Sequence, residues 1–290
     1  MAVICPGYVG IAEIDGTKIR CTDFNVNPSQ SSSFYDHVIG LNDTVPGTPA
    51  TKGENIGVIQ TQKRMWRPSP ISISGGITFP ATEDNIAIFF NHVKLGTYFD
   101  INFTYHKGSP SKARLFKNCR VNSFSFSSTA SDILNISAEV MAMDIEGGAV
   151  STSYTDAEKH ITWDKIVITS ADIPVSIPIQ SFNFTVNNNL QYVYSVDPNP
   201  SDSASNKFLP RDLRVGMQEV TGDMSVYLEY GVDFINQLTG MSELLLTCPG
   251  LTTPIFVVFQ PRQLPGAIGP VIRSIPFVGV DKVFGPGEEI

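Results

Sequence analysis

Histidines and paired carboxylates are the residues that could carry metal or acid–base chemistry. The histidines lie far apart and form no His-Glu-x-x-His pair, so that a metal site would need unrelated segments to converge: His37, His92, His106 and His160. Glu83-Asp84 begins a predicted helix and Glu288-Glu289 ends the chain, which explains both pairs without catalysis. Neither a Gly-x-Ser-x-Gly elbow nor a Gly-x-x-x-x-Gly-Lys loop is present. The sequence therefore predicts no catalytic, cofactor-binding or metal site, and no enzyme.

A basic aromatic stretch is the clearest candidate for a binding surface. Lys63-Arg64 and Trp66-Arg67 combine cations with an indole ring, and Trp and Arg are enriched at interface centres. Nucleic acid is the weaker alternative, because the chain carries 28 Asp and Glu against 20 Lys and Arg, a net charge of −8. We predict inter-subunit contacts here, and add two residues near the end of a second loop to the set: Lys63, Arg64, Trp66, Arg67, Phe208 and Arg211.

The cysteines and the N-terminus indicate the compartment. The cysteines form no Cys-x-x-Cys pair, and we interpret them as small buried side chains while leaving open whether any of them pair: Cys5, Cys21, Cys119 and Cys248. Pro6 and Gly7 interrupt the short apolar run at the start, so no signal peptide is expected. Residues 244–261 lack charge but contain prolines and threonines, which argues against a membrane span. We expect a protein made in a cytoplasm, with no membrane partner.

Alternation of polar and apolar residues is the main structural signal. It is clearest at residues 123–127 and 134–140, where every second residue is apolar, as in half-buried antiparallel strands. Further strands are predicted in segments rich in β-branched and aromatic residues: 71–79, 99–105, 177–186, 219–228 and 255–259. The predicted fold is all-β, an antiparallel β-sandwich or barrel.

Two segments predict short helices. Thr82 can cap a helix with Glu83 and Asp84 in its first turn, and Gly96 would end it. Its apolar residues follow helical spacing: Ile86, Phe89, Phe90 and Val93. A second helix is predicted at residues 232–239, before Gly240.

The surroundings of the two helices match. Ser74-Gly75-Gly76-Ile77-Thr78-Phe79 precedes the first, and Thr221-Gly222-Asp223-Met224-Ser225-Val226 precedes the second. Three further matches follow the same chain order: residues 24–27 with 184–187, 90–91 with 235–236, and 101–103 with 257–259. We predict a tandem duplication with one helix per half. The second half shows no counterpart of the strand at 133–144, whose place residues 9–14 could take.

The duplication predicts a division of the chain near residue 150. The first domain, 1–150, would carry a long loop at 27–70, and the second, 151–290, a loop at 187–210. Both loops are rich in Ser, Pro or Asp, and loops of this length are commonly functional. Small polar residues at 147–156 suit a linker between the two predicted domains.

The sequence resembles the tail tube (major tail) proteins of tailed bacteriophages. The resemblance lies in residues 219–226 before the helix at 232, in residues 181–187 before a long loop, and in their first-half counterparts. The resemblance implies a structural virion protein whose stacked rings form a conduit for DNA during ejection. It implies trimeric rings with pseudo-sixfold symmetry, or alternatively hexameric rings, assembled in the host bacterial cytoplasm. A tail sheath, baseplate and terminator proteins are the implied partners, DNA passes only as cargo, and no cofactor is implied.

Two other classes of function fit parts of the pattern. A non-catalytic β-sandwich for binding or adhesion on a virion or cell surface would also be strand-rich, and should expose aromatic side chains on one face. A glycoside hydrolase would need two inward-facing carboxylates, which cannot be placed from the sequence.

Overall fold

The computed structural model describes residues 9–36, 64–105, 112–151, 159–169, 179–194, 208–228, 241–260 and 271–280. Within them most residues lie in antiparallel strands, as the alternation predicts, and one α-helix is present. The first-half strands are β1 Gly10–Ile14, β2 Thr17–Cys21, β3 Asp23–Phe24, β4 Asn27–Asp36, β5 Arg64–Pro80, β6 Phe99–Tyr105, β7 Lys112–Thr129, β8 Asn135–Ala142 and β9 Asp144–Gly147. The later ones are β10 Val167–Thr169, β11 Ile179–Asn187, β12 Gln191–Val193, β13 Asp212–Arg214, β14 Glu219–Leu228, β15 Met241–Cys248, β16 Leu251–Phe259 and β17 Val271–Gly279.

The helix α1, Glu83–Leu95, forms where its capping signals predict it. The Thr82 hydroxyl accepts the backbone N–H of Asn85, while the Asn85 side chain accepts the backbone N–H of Thr82, which completes a capping box. Gly96 ends the helix in the left-handed conformation (φ 57°). The buried residues are those of the predicted stripe together with Asn85.

Strand β7 joins two sheet layers of a sandwich. Its first part pairs with β6 and β9, and its second part pairs with β8 and β11. The first layer is completed by β1 and β2 next to β6, and the second by β5 next to β8. The pairing path through the described strands ends at β2 and at β10 and does not close, so the predicted sandwich or barrel is a sandwich.

Aromatic side chains fill the space between the layers. Phe24 stacks on Phe103 of the opposite layer with ring centroids 3.6 Å apart. On α1, Phe89 contacts Phe79 of β5 at 5.0 Å and Phe99 of β6 at 6.2 Å between centroids. One buried cluster takes in residues of both halves, so the division at residue 150 stays a prediction.

The two halves repeat one order of strand pairing. In the first half the neighbours run β1-β6-β7-β8-β5, with β3 and β4 next to β5. In the second half they run β10-β15-β16-β17-β14-β11. Helix α1 lies between β5 and β6; the predicted helix at 232–239 falls between β14 and β15 but outside the described residues.

Two glycines set the alignment of the halves. A Cβ on Gly75 would collide with the Asn25 carbonyl oxygen, and one on Gly222 with that of Asn183. With these two glycines taken as equivalent, Asn25 aligns with Asn183, two residues away from the predicted match of residues 24–27 with 184–187. Strand β17 pairs with β14 as β8 pairs with β5, which corrects the expectation that the second half lacks this strand and that residues 9–14 replace it. On the same alignment, residues 257–259 align with part of β7 rather than with 101–103.

Both predicted loops are shorter than expected. Residues 27–36 and 64–70 are the paired strands β4 and β5, because backbone pairing overrides the loop-like Ser and Pro content. Within the predicted loop at 187–210, residues 191–193 form β12, which pairs with β13. Of the predicted linker at 147–156, residues 147–151 are described and the rest are not.

Candidate functional surface

Four of the predicted contact residues belong to the stretch where β5 begins. Arg64, Trp66 and Arg67 are paired by register with β4 residues in the order Asp36, Phe34 and Ser33. Lys63 lies outside the described residues. The stretch is thus one strand of a two-stranded extension, and its role in subunit contacts stays a prediction.

Phe208 and Arg211 reach the same region from the second half. The backbone N–H of Ile71, on β5, donates to the Phe208 carbonyl oxygen at 2.8 Å. The backbone N–H of Arg211 donates to the Val193 carbonyl oxygen at 2.8 Å, next to β12 and β13. The structure therefore brings Phe208 to the strand that carries Arg64, Trp66 and Arg67, but leaves the predicted contacts untested.

Metal-ligating residues do not converge in the described part of the chain, where no group of three or more His, Cys, Asp or Glu side chains could hold an ion. His92 bonds to Asp15 and Thr97 at 2.8 Å each and stacks on Phe99. It is a packed histidine, as the sequence analysis favours. Among the described segments, no helix has the length and apolar character needed to cross a membrane.

A polar face covers the second layer on the side away from the core. Along its strands the buried residues alternate with short hydroxyl and amide side chains. The register aligns these polar side chains in rows, one of which crosses five strands: Thr78, Ser137, Ser125, Thr185 and Thr221. A second row holds Asn135, Ser127, Asn183 and Asp223. We call this set, with the third row below, the polar face.

The charges described on the polar face are all negative. The third row contains Glu139, Ser123, Asn187 and Glu219, and with Asp223 it supplies the carboxylates. The Glu139 carboxylate accepts a bond of 3.0 Å from the Asn122 side chain, while Glu219 is exposed. No Lys or Arg occurs in the three rows. Carboxylates without neighbouring cations disfavour the binding of phosphates.

The two halves are joined within this face, where β11 pairs with β7 over residues 181–187 and 123–129. Asn188 secures the end of the joint, since its buried amide donates to the carbonyl oxygens of Val121 at 2.9 Å and Val93 at 3.2 Å. The Gln218 amide donates to the Asn188 side-chain oxygen at 2.7 Å. The joint therefore also holds the last turn of α1.

A second polar cluster ties β13 to the first half. The Tyr98 hydroxyl donates to the Asp212 carboxylate at 2.5 Å, and the Arg120 guanidinium lies 3.9 Å from the centre of the Tyr98 ring. Arg120 also donates to the Leu213 carbonyl oxygen. Burial and the bond to Asp212 raise the pKa of Tyr98, and the same bond lowers the pKa of Asp212. The phenol stays neutral as a donor and the carboxyl stays ionised as its acceptor.

The polar face was not identified as a unit in the sequence analysis. The alternation at residues 123–127 and 134–140 marks which residues point away from the core, but not that β11 and β14 continue the same face. The signal available in the sequence was the repeated use of Ser, Thr and Asn at outward positions of separate strands.

Comparison with known families decides what kind of protein carries this sandwich. The family model described as phage tail tube protein matches residues 22–279, which contain the polar face and the joint. The chain belongs to the phage tail tube protein family. This tail tube protein is a structural component of the virion tail that assembles with itself and other tail components into a tube. It has no match among curated proteins.

Proposed function

We propose that three copies of this tail tube protein form each ring, with six similar sheet units in pseudo-sixfold arrangement, and that the rings stack into the tube. The observation that carries the proposal is the repeated order of strand pairing, β1-β6-β7-β8-β5 and β10-β15-β16-β17-β14. A chain with two similar units can close a ring of six units with three copies, whereas a chain with one unit needs six.

The polar face lines the channel of the proposed ring. Its short hydroxyl and amide side chains offer DNA no bulky obstacle, and its carboxylates Glu139, Glu219 and Asp223 repel phosphates. Because the face continues across the joint of β7 and β11, both halves contribute to the wall. The tube would thus act as a conduit in which DNA slides during ejection.

The proposal extends to the setting of the tube. Assembly takes place in the host bacterial cytoplasm, the role is structural rather than enzymatic, and the neighbours are a tail sheath, baseplate and terminator proteins. Contacts between subunits use the predicted set at the β4–β5 extension and beside it: Lys63, Arg64, Trp66, Arg67, Phe208 and Arg211. The pairing of β4 with β5 as far as Asp36 and Arg64 supports this, because it extends beyond Ile73, the last residue of β5 that pairs with β8.

Electron cryo-microscopy of tubes assembled from the purified chain tests the proposal. We expect a cross-section with three chains, each contributing two alternating units, and the rows of Ser, Thr and Asn on the inner wall. Six identical chains in each ring would replace the trimer by the hexameric alternative. A monomer across the accessible concentration range, with no tubes on grids, would overturn the proposal.

A further inference from the structure

The hairpin of β12 and β13 belongs to the second half of the chain but covers a surface of the first half. Its buried Leu190 and Leu213 form a cluster with Met141 of β8, and Met143 and Tyr192 pack against that cluster. Met141 is only 7% exposed as a result. The hairpin reaches this surface because β11, which precedes it, lies beside β7. We call the covered surface the first socket: Arg120, Met141 and Met143.

The extension of β4 and β5 is the counterpart of this hairpin. The alignment of Asn25 with Asn183 and of Gly75 with Gly222 brings three register pairs of β4 and β5 onto three register pairs of β12 and β13. The matched pairs are Ser33–Arg67 with Gln191–Arg214, Phe34–Trp66 with Tyr192–Leu213, and Tyr35–Met65 with Val193–Asp212. These pairs were not used to set the alignment, so their agreement supports equivalent places for the two hairpins.

The second half carries a counterpart of the first socket. Val278 pairs with Thr221 as Met141 pairs with Ser74, and Val258 lies opposite Val278 as Arg120 lies opposite Met141. The same alignment matches Val280 with Met143. We call this surface the second socket: Val258, Val278 and Val280. It is apolar but incompletely covered in the single chain, since Val258 is 37% exposed and Val280 36%.

The two sockets differ in polarity, and the two hairpins differ in the same sense. At the first socket Arg120 donates to the Leu213 carbonyl oxygen and attracts the Asp212 carboxylate. The second socket has Val258 in place of Arg120, and β5 has Met65 in place of Asp212. The charged pair is thus replaced by an apolar pair on both sides of the contact. A hairpin in the wrong socket would leave a charge without its partner.

We propose that the β4–β5 extension of one copy packs on the second socket of a second copy, as β12 and β13 pack on the first socket within one chain. The second socket of the same chain is out of reach, because β8, β7, β11 and β14 separate β5 from β17, about 24 Å at about 4.8 Å per strand. The inference rests on the proposed ring. It assigns a polar hairpin to a polar socket within chains and an apolar hairpin to an apolar socket between chains, which makes the two halves alternate.

An exchange of charges tests the docking. Val258→Arg and Met65→Asp each place an unpaired charge in the contact, so ring assembly should need at least about ten times more protein. The double variant recreates the combination of Arg120 with Asp212 and should assemble near the concentration of the unchanged protein. Thr252→Arg, at an exposed residue of the same strand outside the socket, is the matched control and should assemble normally. Sedimentation and negative-stain images give the assembled fraction.

Tryptophan fluorescence gives a second readout. The chain has two tryptophans, and Trp163→Phe leaves Trp66, the counterpart of Leu213, as the single one. When rings form, its emission should move to shorter wavelength and its quenching by acrylamide should fall, because the indole ring leaves water. At a concentration where the unchanged protein assembles, Val258→Arg should prevent both changes.

The outcomes separate this inference from the proposed function. Rings in which Trp66 stays accessible to acrylamide, or rings that form equally well with Val258→Arg, would overturn the docking and leave the tube intact. Two impaired single variants whose combination is not restored would show that positions 65 and 258 do not meet, which also overturns it. If the unchanged protein forms no rings, the proposed function fails and the docking fails with it.

Discussion

Asn188 is the residue on which the joint between the halves depends most directly. Asn188→Ala would remove the bonds that the Asn188 amide donates to the carbonyl oxygens of Val93 and Val121, and would leave the Gln218 amide with its longer bond of 3.4 Å to the Val93 carbonyl oxygen. We expect the free energy of unfolding to fall by about 1–3 kcal/mol, because buried groups lose hydrogen bonds. Urea denaturation followed by circular dichroism gives the value. Asn183→Ala, exposed on the polar face, is the control and should stay within about 0.5 kcal/mol.

The Cys248 thiol and the Tyr192 phenol make the free energy of unfolding sensitive to alkaline pH. Burial raises the pKa of Cys248 from 9.0 to about 11, and burial is the main cause that raises the pKa of Tyr192 from 10.0 to about 12. The folded state thus favours their neutral forms, so this stabilisation is complete below about pH 9 and is lost as the pH rises toward 12. Cys248→Ala should make the decline in unfolding free energy between pH 9 and 11 shallower. Equal pH slopes in urea titrations of the two proteins would contradict this.

The buried thiols agree with the interpretation of the cysteines as small apolar side chains. Cys21, Cys119 and Cys248 are buried and form no disulfide with one another in the described structure, and burial raises the pKa of Cys119 strongly. Their distance from one another in the sequence was informative, because it argued against a disulfide framework. The sequence could not indicate how deeply each one lies, since that depends on strands brought together from distant parts of the chain.

At the scale of elements, the turn between β15 and β16 packs on the start of α1. Gly250 has φ 82°, and a Cβ there would collide with the Glu83 carbonyl oxygen. Gly16 has a similar φ of 79° but nothing within 4 Å of its Cβ position. Gly16→Ala should cost about 1 kcal/mol for the backbone conformation alone. Gly250→Ala should cost at least about 1 kcal/mol more by thermal or urea unfolding; equal losses would show that the turn does not press on the helix.

Helix α1 was predictable because its signals are local. Thr82, the acidic first turn and Gly96 lie within one short segment, and each acts through neighbouring backbone groups. The alternating strands β7 and β8 were predictable for the same reason. Strand β17 was missed because Pro276 and Arg273 disguise its alternation, and it forms by pairing with β14, far away in the sequence.

The polar face depends on register, which explains why only its parts could be predicted. Ser125 and Thr185 were each expected to lie on strands, but their adjacency requires the pairing of β7 with β11. A change of one residue in that pairing would reverse the exposed faces of the two strands. The candidate surface therefore depends on the register between distant strands, and this register cannot be predicted from the local sequence pattern.

At the scale of the whole molecule, the long loop can be removed without stretching the chain. Asp36 and Arg64 are register partners, so an Asn-Gly turn can replace residues 37–63, which lie outside the described residues. We expect this segment to contact the next ring, so the variant should keep the melting temperature of the sandwich but form rings that no longer stack. Light scattering and negative-stain images measure this. Normal tubes, or an unfolded variant, would each contradict the expected role of the loop.

Charge reversal on the polar face tests the wall of the channel. Glu219→Lys should leave tube formation intact, because the side chain is exposed, yet cause the tubes to retain DNA at low salt. The amount of nuclease-resistant DNA that sediments with the tubes should rise above that of the unchanged protein and fall with added salt. Asp164→Lys makes the same change of charge at an exposed residue that belongs to none of the three rows, and should protect no DNA.

The pairing of β7 with β11 inside one chain has a kinetic consequence for ring formation. In a ring of six units built from three chains, half of the joints form as each chain folds, at an effective concentration set by the connecting segment rather than by the amount of protein. Closing the ring then joins three bodies instead of six, so the loss of translational and rotational entropy is incurred fewer times. Complete rings should consequently accumulate at lower subunit concentrations than for an otherwise equal unit that is synthesised singly.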